Sequence, residues 1–328
     1  MGGMDEGSGL QPASEKSSMT KNPQDIIQPI TRELIEAELN EGRFVRDTNK
    51  AGNKIYIVNH HNSPNTMQEI GRLREVSFRA AGGGTGLPVD IDEADTAERC
   101  YEQLIVWSPE DREIVGGYRF ITGERAKNPE TGYFDLSTAH YFDFTDRMME
   151  EYLPYSIELG RSWVQPNYQP ANNPRKGVFA LMNIWDGLGS LVINYPEIRY
   201  LFGKVTMYTH YNAEARDLLL SFMGHYFPNR PDLCTPKEEL NAPHNKALFN
   251  ELFNKDMPYD EGFKLLNKLL KERGEYIPPL INIYMGLSKT MITFGTAQNP
   301  DFGDVEETGI LVTIADIHQA VKDRHIHY

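Results

Sequence analysis

The chain has 328 residues, 40% hydrophobic and 24% charged, a composition typical of a globular protein with a substantial core. Its 33 Lys and Arg against 47 Asp and Glu give a formal net charge of −14, which argues against nucleic-acid binding. Cys100 and Cys234 can form neither a disulfide framework nor a metal site. With no readable secretory signal or membrane span, a cytoplasmic protein without a metal is predicted.

The N-terminal region divides the chain into a leader and a core. Residues 1–24 are rich in Gly, Ser, Glu and Lys and are predicted to be disordered. A core over 25–240 is predicted to follow, with a C-terminal helical and strand extension over 241–328 packed on it. Within the core, apolar periodicity predicts first a helix over 31–41, then a strand over 55–59 and a helix over 66–78.

The segment over 80–99 is the least regular part of the core. Its AAGGGTG run matches neither GxGxxG nor a P-loop, so nucleotide binding is not expected there. Two interpretations remain open: a mobile flap beside an acceptor pocket, with Asp92, Asp95 and Glu98 as its acidic lining, or a solvated loop.

Two strands, over 103–107 and 114–122, come next. Arg119 lies on the second of them, and an arginine in a central strand must reach an edge or pair with a carboxylate. Glu158 is the predicted partner.

Residues 156–163 alternate in polarity like a strand with two distinct faces. Glu158 and Arg161 are an odd number of positions apart, so their side chains should point to opposite faces unless a bulge at Gly160 resets the alternation.

A loop rich in Pro and Asn then leads into a predicted helix from Arg175 to Asn194, with Pro174 at its start. Free backbone N–H groups, the positive end of the helix dipole and the side chains of Arg175 and Lys176 would converge there. The natural ligand of such a helix start is a phosphate.

The remaining elements are predicted in order as a strand over 201–208, a helix over 213–226, a short helix near 244–253, a helix over 278–289, a strand over 309–314 and a C-terminal helix. An amphipathic helix over 260–273 has two interpretations. It could lie on a membrane surface, or, as is commoner, pack on its own domain.

Several motifs together carry a resemblance to a known family. They are ELGRSWVQPNY at 158–168, LMNIWDGLG at 181–189, LFGKVTMY at 201–208, REVSF at 74–78, LIVW at 104–107, GGYRF at 116–120, PPLINIYMGL at 278–287 and NPDFG at 299–303. With them the chain resembles the GNAT-superfamily acyltransferases that make lipoamino acids from acyl carrier protein. These are the first-step enzymes of ornithine-lipid and glycine-lipid synthesis, often labelled hemolysin-like.

The resemblance implies an α/β fold with a GNAT-like mixed β-sheet flanked by helices and extended at both ends. It implies transfer of a fatty acyl group from acyl carrier protein to the α-amine of an amino acid, glycine or ornithine-like. The donor would be the acyl-phosphopantetheine of acyl carrier protein, or acyl-CoA, with no tightly bound cofactor. Acyl carrier protein and the amino acid are the expected partners, and peripheral contact with the inner membrane is compatible with this activity.

Such a site splays two parallel strands around the pantetheine arm, and a strand N–H holds the thioester oxygen. Glu158 is predicted to take the amine proton, with Arg161 as the second catalytic residue. The alternative is a buried ion network of Glu158, Arg161, Arg119 and Arg74 that organises the strands. The donor is predicted to contact Val164, Arg175, Lys176 and Gly177. The acceptor is predicted to contact Arg74, Phe78, Arg119 and Asp95.

The loop from Gln165 to Gly177 departs from the compact glycine-rich loop of many acetyl-CoA enzymes in this superfamily. Its length suits the single phosphate of a carrier-protein arm better than the pyrophosphate of CoA. Two other functions stay open: an acetyl-CoA-dependent small-molecule N-acetyltransferase, and a non-catalytic member that only binds an acyl carrier or a membrane.

Overall fold

A computed structural model describes residues 23–238, 240 and 245–328, so the leader predicted to be disordered lies almost wholly outside the described residues. The strands are β1 (Phe44–Asp47), β2 (Lys54–Val58), β3 (Glu102–Ser108), β4 (Glu113–Thr122), β5 (Phe142–Phe144), β6 (Ser156–Val164), β7 (Tyr200–Met207), β8 (Cys234–Pro236), β9 (Ile292–Asn299) and β10 (Val305–Thr313). The α-helices are α1 (Arg32–Glu38), α2 (Pro64–Ala80), α3 (Glu93–Thr96), α4 (Gly123–Ala126), α5 (Pro174–Asn194), α6 (Ala213–Tyr226), α7 (Ala247–Leu252), α8 (Tyr259–Glu272), α9 (Pro279–Leu287) and α10 (Gln319–His325).

Eight strands form one mixed sheet in the order β1-β2-β3-β4-β6-β7-β10-β9, while β5 and β8 form a separate antiparallel pair. Every neighbouring pair in the large sheet is antiparallel except β6 and β7, which run parallel. The predicted GNAT-like mixed sheet flanked by helices is confirmed. The C-terminal extension also contributes two strands to this sheet, because β10 pairs with β7, and β9 pairs with β10 at the edge.

The parallel pair opens into a gap. β6 and β7 are paired from Ser156 opposite Tyr200 to Leu159 opposite Gly203, but both strands continue beyond that point, to Val164 and Met207. β6 stays paired with β4 across this stretch, and β7 stays paired with β10. Each strand therefore keeps a partner on its outer edge, while the inner edges separate.

Helices cover the two faces of the sheet. Consecutive residues of a strand point to opposite faces, and on β3 Leu104 packs in the cluster formed with α5, α6, α8 and α9, whereas Ile105 packs in the cluster formed with α2. We call these the α5 side and the α2 side. Farther along the sheet, the α2 side is covered by the segment over 123–155.

Helix α5 begins at Pro174, one residue before the predicted start at Arg175. The side chain of Asn173 caps it by accepting from Lys176 N–H (3.2 Å), and Pro174 occupies the first turn. Gly177 is required there, because a Cβ at this position would lie 2.4 Å from Pro170 N. Although α5 is long and apolar enough to cross a membrane, most of it is buried, as in the core helix of a globular protein.

Helix α8 settles the choice between its two interpretations. Leu266, Leu269 and Leu270 are buried in the core cluster, and α8 packs along α6, so the apolar stripe is used within the protein. The predicted packing of this helix on its own domain is confirmed.

Candidate active site

A cavity of about 460 Å³ passes through the sheet at the gap between β6 and β7. Its walls include Gly160, Arg161 and Val164 from β6 and Lys204 and Thr206 from β7. The unpaired inner edges of the two strands therefore form its narrow middle. The cavity has one half on each side of the sheet, and the walls of the two halves differ in polarity.

The half on the α5 side is apolar. Leu181, Ile184, Trp185 and Leu188 of α5 face Leu280 and Tyr284 of α9 across it, with Trp185 and Tyr284 in edge contact at 5.3 Å between ring centroids. Two buried polar atoms on these walls, Tyr118 Oη and Trp185 Nε1, have no hydrogen-bond partner within the described part of the chain. This half suits an aliphatic ligand that carries a few polar groups.

The backbone of Val164 is directed at the gap. Gln165 N–H donates to Val115 O of β4 at 3.1 Å, and in an antiparallel pair successive N–H groups point to opposite edges of a strand. The N–H of Val164 therefore points away from β4, towards β7. It lies where a thioester carbonyl held between the strands would need a donor.

The half on the α2 side is polar. Lys204 Nζ lies 2.7 Å from Glu307 Oε2, which also accepts from Asn299 Nδ2 at 3.1 Å. Tyr141 donates from its hydroxyl to Asn299 Oδ1 at 2.7 Å and lies below the Lys204 ammonium. Burial and the nearby carboxylate of Glu307 raise the pKa of Tyr208 to about 12 against the opposing charge of Arg161, so this phenol is protonated at neutral pH.

Arg119 lines the cavity, but its carboxylate partners are Asp92 (2.6 Å) and Asp95 (3.0 Å). The prediction that Glu158 pairs with Arg119 is wrong. Asp95 also bridges to Arg74 at 3.0 Å, and the side chains of Asp95 and Arg74 are fully buried. Burial would raise the pKa of Asp95, but the charges of Arg74 and Arg119 hold it well below its usual range.

Arg74 and Asp95 do not line the cavity, so the structure does not place them in contact with an acceptor as predicted. Asp95 instead pairs with both Arg74 and Arg119 and so holds Arg119 in place. The acidic lining expected of the segment over 80–99 is reduced to Asp92 and Glu93, because Glu98 is exposed elsewhere. Nor is this segment a freely solvated loop, since buried Glu75 accepts from Thr85 N–H (3.0 Å) and Gly86 N–H (2.8 Å).

Arg161 reaches the cavity through a bulge. Gly117 pairs with Trp163 but Arg119 with Gly160, so β6 carries an extra residue here, and Arg161 has φ = 50°. The anticipated reset of the alternation therefore occurs and directs Arg161 to the α2 side. Its guanidinium stacks on Phe302 (4.4 Å) and pairs with buried Asp90 at 2.9 Å, not with Glu158.

Glu158 lies next to the cavity rather than in its wall, and 2% of it is exposed. Its carboxylate accepts from Tyr101 Oη, from Ser137 N–H (3.2 Å) and from Thr138 N–H (2.8 Å). These bonds anchor the turn that carries His140 and Tyr141 to the cavity. Its role as base stays a prediction, but its contacts favour a positioning role.

Replacing Glu158 with glutamine tests the positioning role. A glutamine has one acceptor oxygen, so its NH2 group would face a backbone N–H, and a buried unsatisfied donor costs about 1–3 kcal/mol. We expect the midpoint of denaturant unfolding to fall accordingly. Unchanged stability with turnover lowered about 10²-fold or more would instead restore Glu158 as the base.

The predicted phosphate site at the start of α5 lies apart from the cavity wall. Lys176 Nζ pairs with Asp111 at 2.5 Å, while Arg175 is exposed. Gly177 supports the loop that precedes α5. Of the residues predicted to contact the acceptor, Phe78 and Arg119 line the cavity. Phosphate binding by Arg175 and Lys176 stays a prediction.

The protein is similar to two acyltransferases over most of its length. Residues 73–175 match the family model of the acetyltransferase (GNAT) domain. The glycine N(alpha)-acyltransferase of Bacteroides thetaiotaomicron is 51% identical over 303 residues, covering 92% of this chain and 90% of that protein. The chain belongs to this N-acyltransferase family. The glycine N(alpha)-acyltransferase of Phocaeicola vulgatus, 48% identical over 303 residues, covers 92% of this chain and 93% of its own. No solved structure matches the chain.

As an N-acyltransferase, the protein makes an N-acyl amino acid, and the cavity is its candidate active site. Sequence reasoning did not assign Lys204, Asn299 or Glu307 to that site. The first two lie within LFGKVTMY and NPDFG, two of the motifs that carry the family resemblance. Glu307 lies in no such motif, and only the pairing of β10 with β7 reveals its place.

Proposed function

We propose that the protein transfers a long acyl chain from the phosphopantetheine arm of acyl carrier protein to the α-amine of glycine. The observation that carries the proposal is the cavity that crosses the sheet at the gap, apolar on one side and polar on the other. Its middle would hold the thioester, with the carbonyl oxygen on Val164 N–H. The apolar half would take the aliphatic parts of the donor, and the polar half the amino acid.

Two features support the donor. The half on the α5 side offers far more apolar wall than an acetyl group needs, which counts against an acetyl-CoA-dependent N-acetyltransferase. A pantetheine arm carries amide groups, and Tyr118 Oη and Trp185 Nε1 are unpaired polar groups on that wall that would serve them.

Glycine is favoured by the relatives' activity and by the crowding of the polar half. The rings of Tyr141, Tyr208 and Phe302 line it, and such rigid walls would favour an acceptor without a side chain. The acceptor carboxylate would bind the guanidinium of Arg161, which a bulge directs into the cavity. The polar walls and the family's activity both count against a purely binding protein.

A direct assay tests the proposal. The purified protein would be incubated with palmitoyl-acyl carrier protein, palmitoyl-CoA or acetyl-CoA, each with glycine, serine or ornithine, and the amides quantified by mass spectrometry. We expect N-palmitoylglycine, formed fastest from the carrier-protein donor. Preference for acetyl-CoA, or for ornithine over glycine, would contradict the proposal.

Carrier docking is expected to depend on Arg175. An acidic carrier protein that approaches a chain of net charge −14 needs a local positive site, and Arg175 is exposed at the start of α5. Arg175→Glu should weaken carrier binding roughly tenfold, or about 1.4 kcal/mol. Because the attraction is electrostatic, the difference should shrink as salt shortens the screening length to about 8 Å.

The matched control is Lys289→Glu, which makes the same charge change at an exposed residue after α9. Titration of holo-acyl carrier protein at two salt concentrations would compare both variants with the wild type. Equal weakening by the two variants would mean that net charge alone matters and would move the docking site away from α5.

We further propose that the enzyme is cytoplasmic and touches the inner membrane only peripherally, where its amphiphilic product is used.

A further inference from the structure

Glu307 has one carboxylate oxygen available to a ligand. It lies on β10 opposite Thr206 of β7, and although 4% exposed it lines the polar half of the cavity. Its Oε2 pairs with the ammonium of Lys204 and accepts a hydrogen bond from Asn299 Nδ2. Oε1 has no hydrogen bond from any residue that the structure describes, and it is not among the fully buried unpaired atoms. It therefore faces the cavity.

The other acidic groups around the site are less suited to proton transfer. Glu158 is held by backbone and side-chain donors outside the cavity wall. Asp92 is occupied by Arg119, and Asp301 is exposed near the entrance and accepts from Tyr141 Oη at 3.3 Å. Glu93 is exposed in α3. Glu307 combines a free oxygen, a fixed orientation and a place in the wall of the polar half.

We propose that Glu307 is the general base that deprotonates the acceptor amine, an inference that rests on the proposed acyl transfer to glycine. The ammonium of bound glycine gives one proton to Glu307 Oε1. The nitrogen lone pair then forms a bond to the thioester carbonyl carbon, and the C–O π electrons move to the oxygen on Val164 N–H. When this intermediate collapses, the C–S bond breaks and the sulfur leaves with its electron pair.

The proton balance follows from the reactants. Glycine enters as an ammonium and leaves as an amide N–H, so it releases two protons. One reaches solvent through Glu307, and the other ends on the leaving thiolate. Lys204 and Asn299 fix Oε2 and so turn Oε1 towards the amine, which makes them positioning residues. Among the described residues, the other charged or titratable side chains that line this half of the cavity are Asp92, Glu93, Arg119, His140, Tyr141, Arg161, Tyr208 and Asp301.

The neighbouring residue supplies a matched control. Glu306 precedes Glu307 on β10, points to the opposite face of the sheet, and pairs there with Arg216 of α6 at 2.7 Å. Glu307→Gln should lower kcat for glycine by about 10²-fold or more. Glu306→Gln should leave kcat within about twofold. Glu307→Asp keeps a carboxylate and should recover part of the activity.

The pH dependence separates a base from a structural residue. Without its base, the Glu307→Gln variant can use only glycine that is already deprotonated. Its deficit in kcat/KM should therefore narrow steadily as pH rises above about 7, because the deprotonated fraction of glycine grows with pH. A deficit that stays constant with pH, or equal losses in both variants, would overturn the proposal.

Failure of the proposed function would look different. A wild type that makes no N-acylglycine contradicts the proposed function before any variant is measured. A wild type that does so while Glu307→Gln keeps full activity, with melting temperatures alike, contradicts the assignment of Glu307 alone.

Discussion

Replacing Asp95 with asparagine is expected to lower the free energy of unfolding by about 3–5 kcal/mol at neutral pH, the usual cost of removing one partner from a buried ion pair. Asp95 bridges Arg74 and Arg119, and both guanidiniums are buried. Without that carboxylate two like charges would remain close together inside the protein, and Asp92 would still pair with one of them, Arg119.

The same substitution has a predictable pH dependence. The pKa of Asp95 is depressed in the folded state, so its contribution is fully present above its unfolded pKa, about 3.9, and is lost as pH falls towards the folded value. The gap in stability between wild type and Asp95→Asn should therefore be widest near neutral pH and narrow below about pH 4. Denaturant titrations at several pH values would measure it.

Asp92→Asn is the control, because it removes a partner of the same Arg119 from a side chain that is 38% exposed. An exposed pair contributes up to about 1 kcal/mol, so the loss should be much smaller. Equal losses from the two substitutions would show that burial of Asp95 does not decide the energetics.

Arg161→Ala is expected to raise the KM for glycine about 10- to 100-fold and leave the KM for the acyl donor nearly unchanged. The range corresponds to the loss of a charged hydrogen bond to the acceptor carboxylate, about 1.5–3 kcal/mol. Stability should also fall, because the buried carboxylate of Asp90 loses its cation.

A double substitution separates these two effects. Arg161→Ala with Asp90→Asn removes both charges, so it should recover most of the lost stability without restoring affinity for glycine. Steady-state kinetics with each substrate varied, beside thermal unfolding, would measure both. Recovery of the KM for glycine in the double variant would show that Arg161 acts only through folding.

Helices with a clear apolar stripe could be predicted closely from the sequence. The helix predicted over 213–226 has the bounds of α6, and the predicted start of α5 differs by one residue. Strands β1, β5, β8 and β9 were not predicted. Three of them have at most four residues, and the longest, β9, is interrupted by Gly295. Such strands form because a neighbouring strand offers backbone partners, which a local pattern does not reveal.

The ion pairs of the site could not be predicted for a related reason. Arg119 and Glu158 share one face of adjacent strands, which made their pairing reasonable. The structure instead brings Asp92 and Asp95 back over the sheet from an irregular segment, and Tyr101 takes the Glu158 carboxylate. The sequence indicates that a bulge near Gly160 would turn Arg161 to the face of Glu158, and the structure contains this bulge. The partner of Arg161 could not be predicted, because Asp90 belongs to the same irregular segment as Asp92 and Asp95.

The place of β10 also affects how the protein can be synthesised. β7 ends at Met207, but β10, which pairs with the edge of β7 that faces away from β6, begins 98 residues later, at Val305. At about 5–20 residues per second, a nascent chain would expose that edge for roughly 5–20 seconds. During this time the unpaired backbone groups of β7, a strand that contains apolar Phe202 and Val205, could pair with other chains. Prematurely terminated chains would keep this edge and lack Glu307, so we expect them to be inactive and to depend on chaperones for solubility.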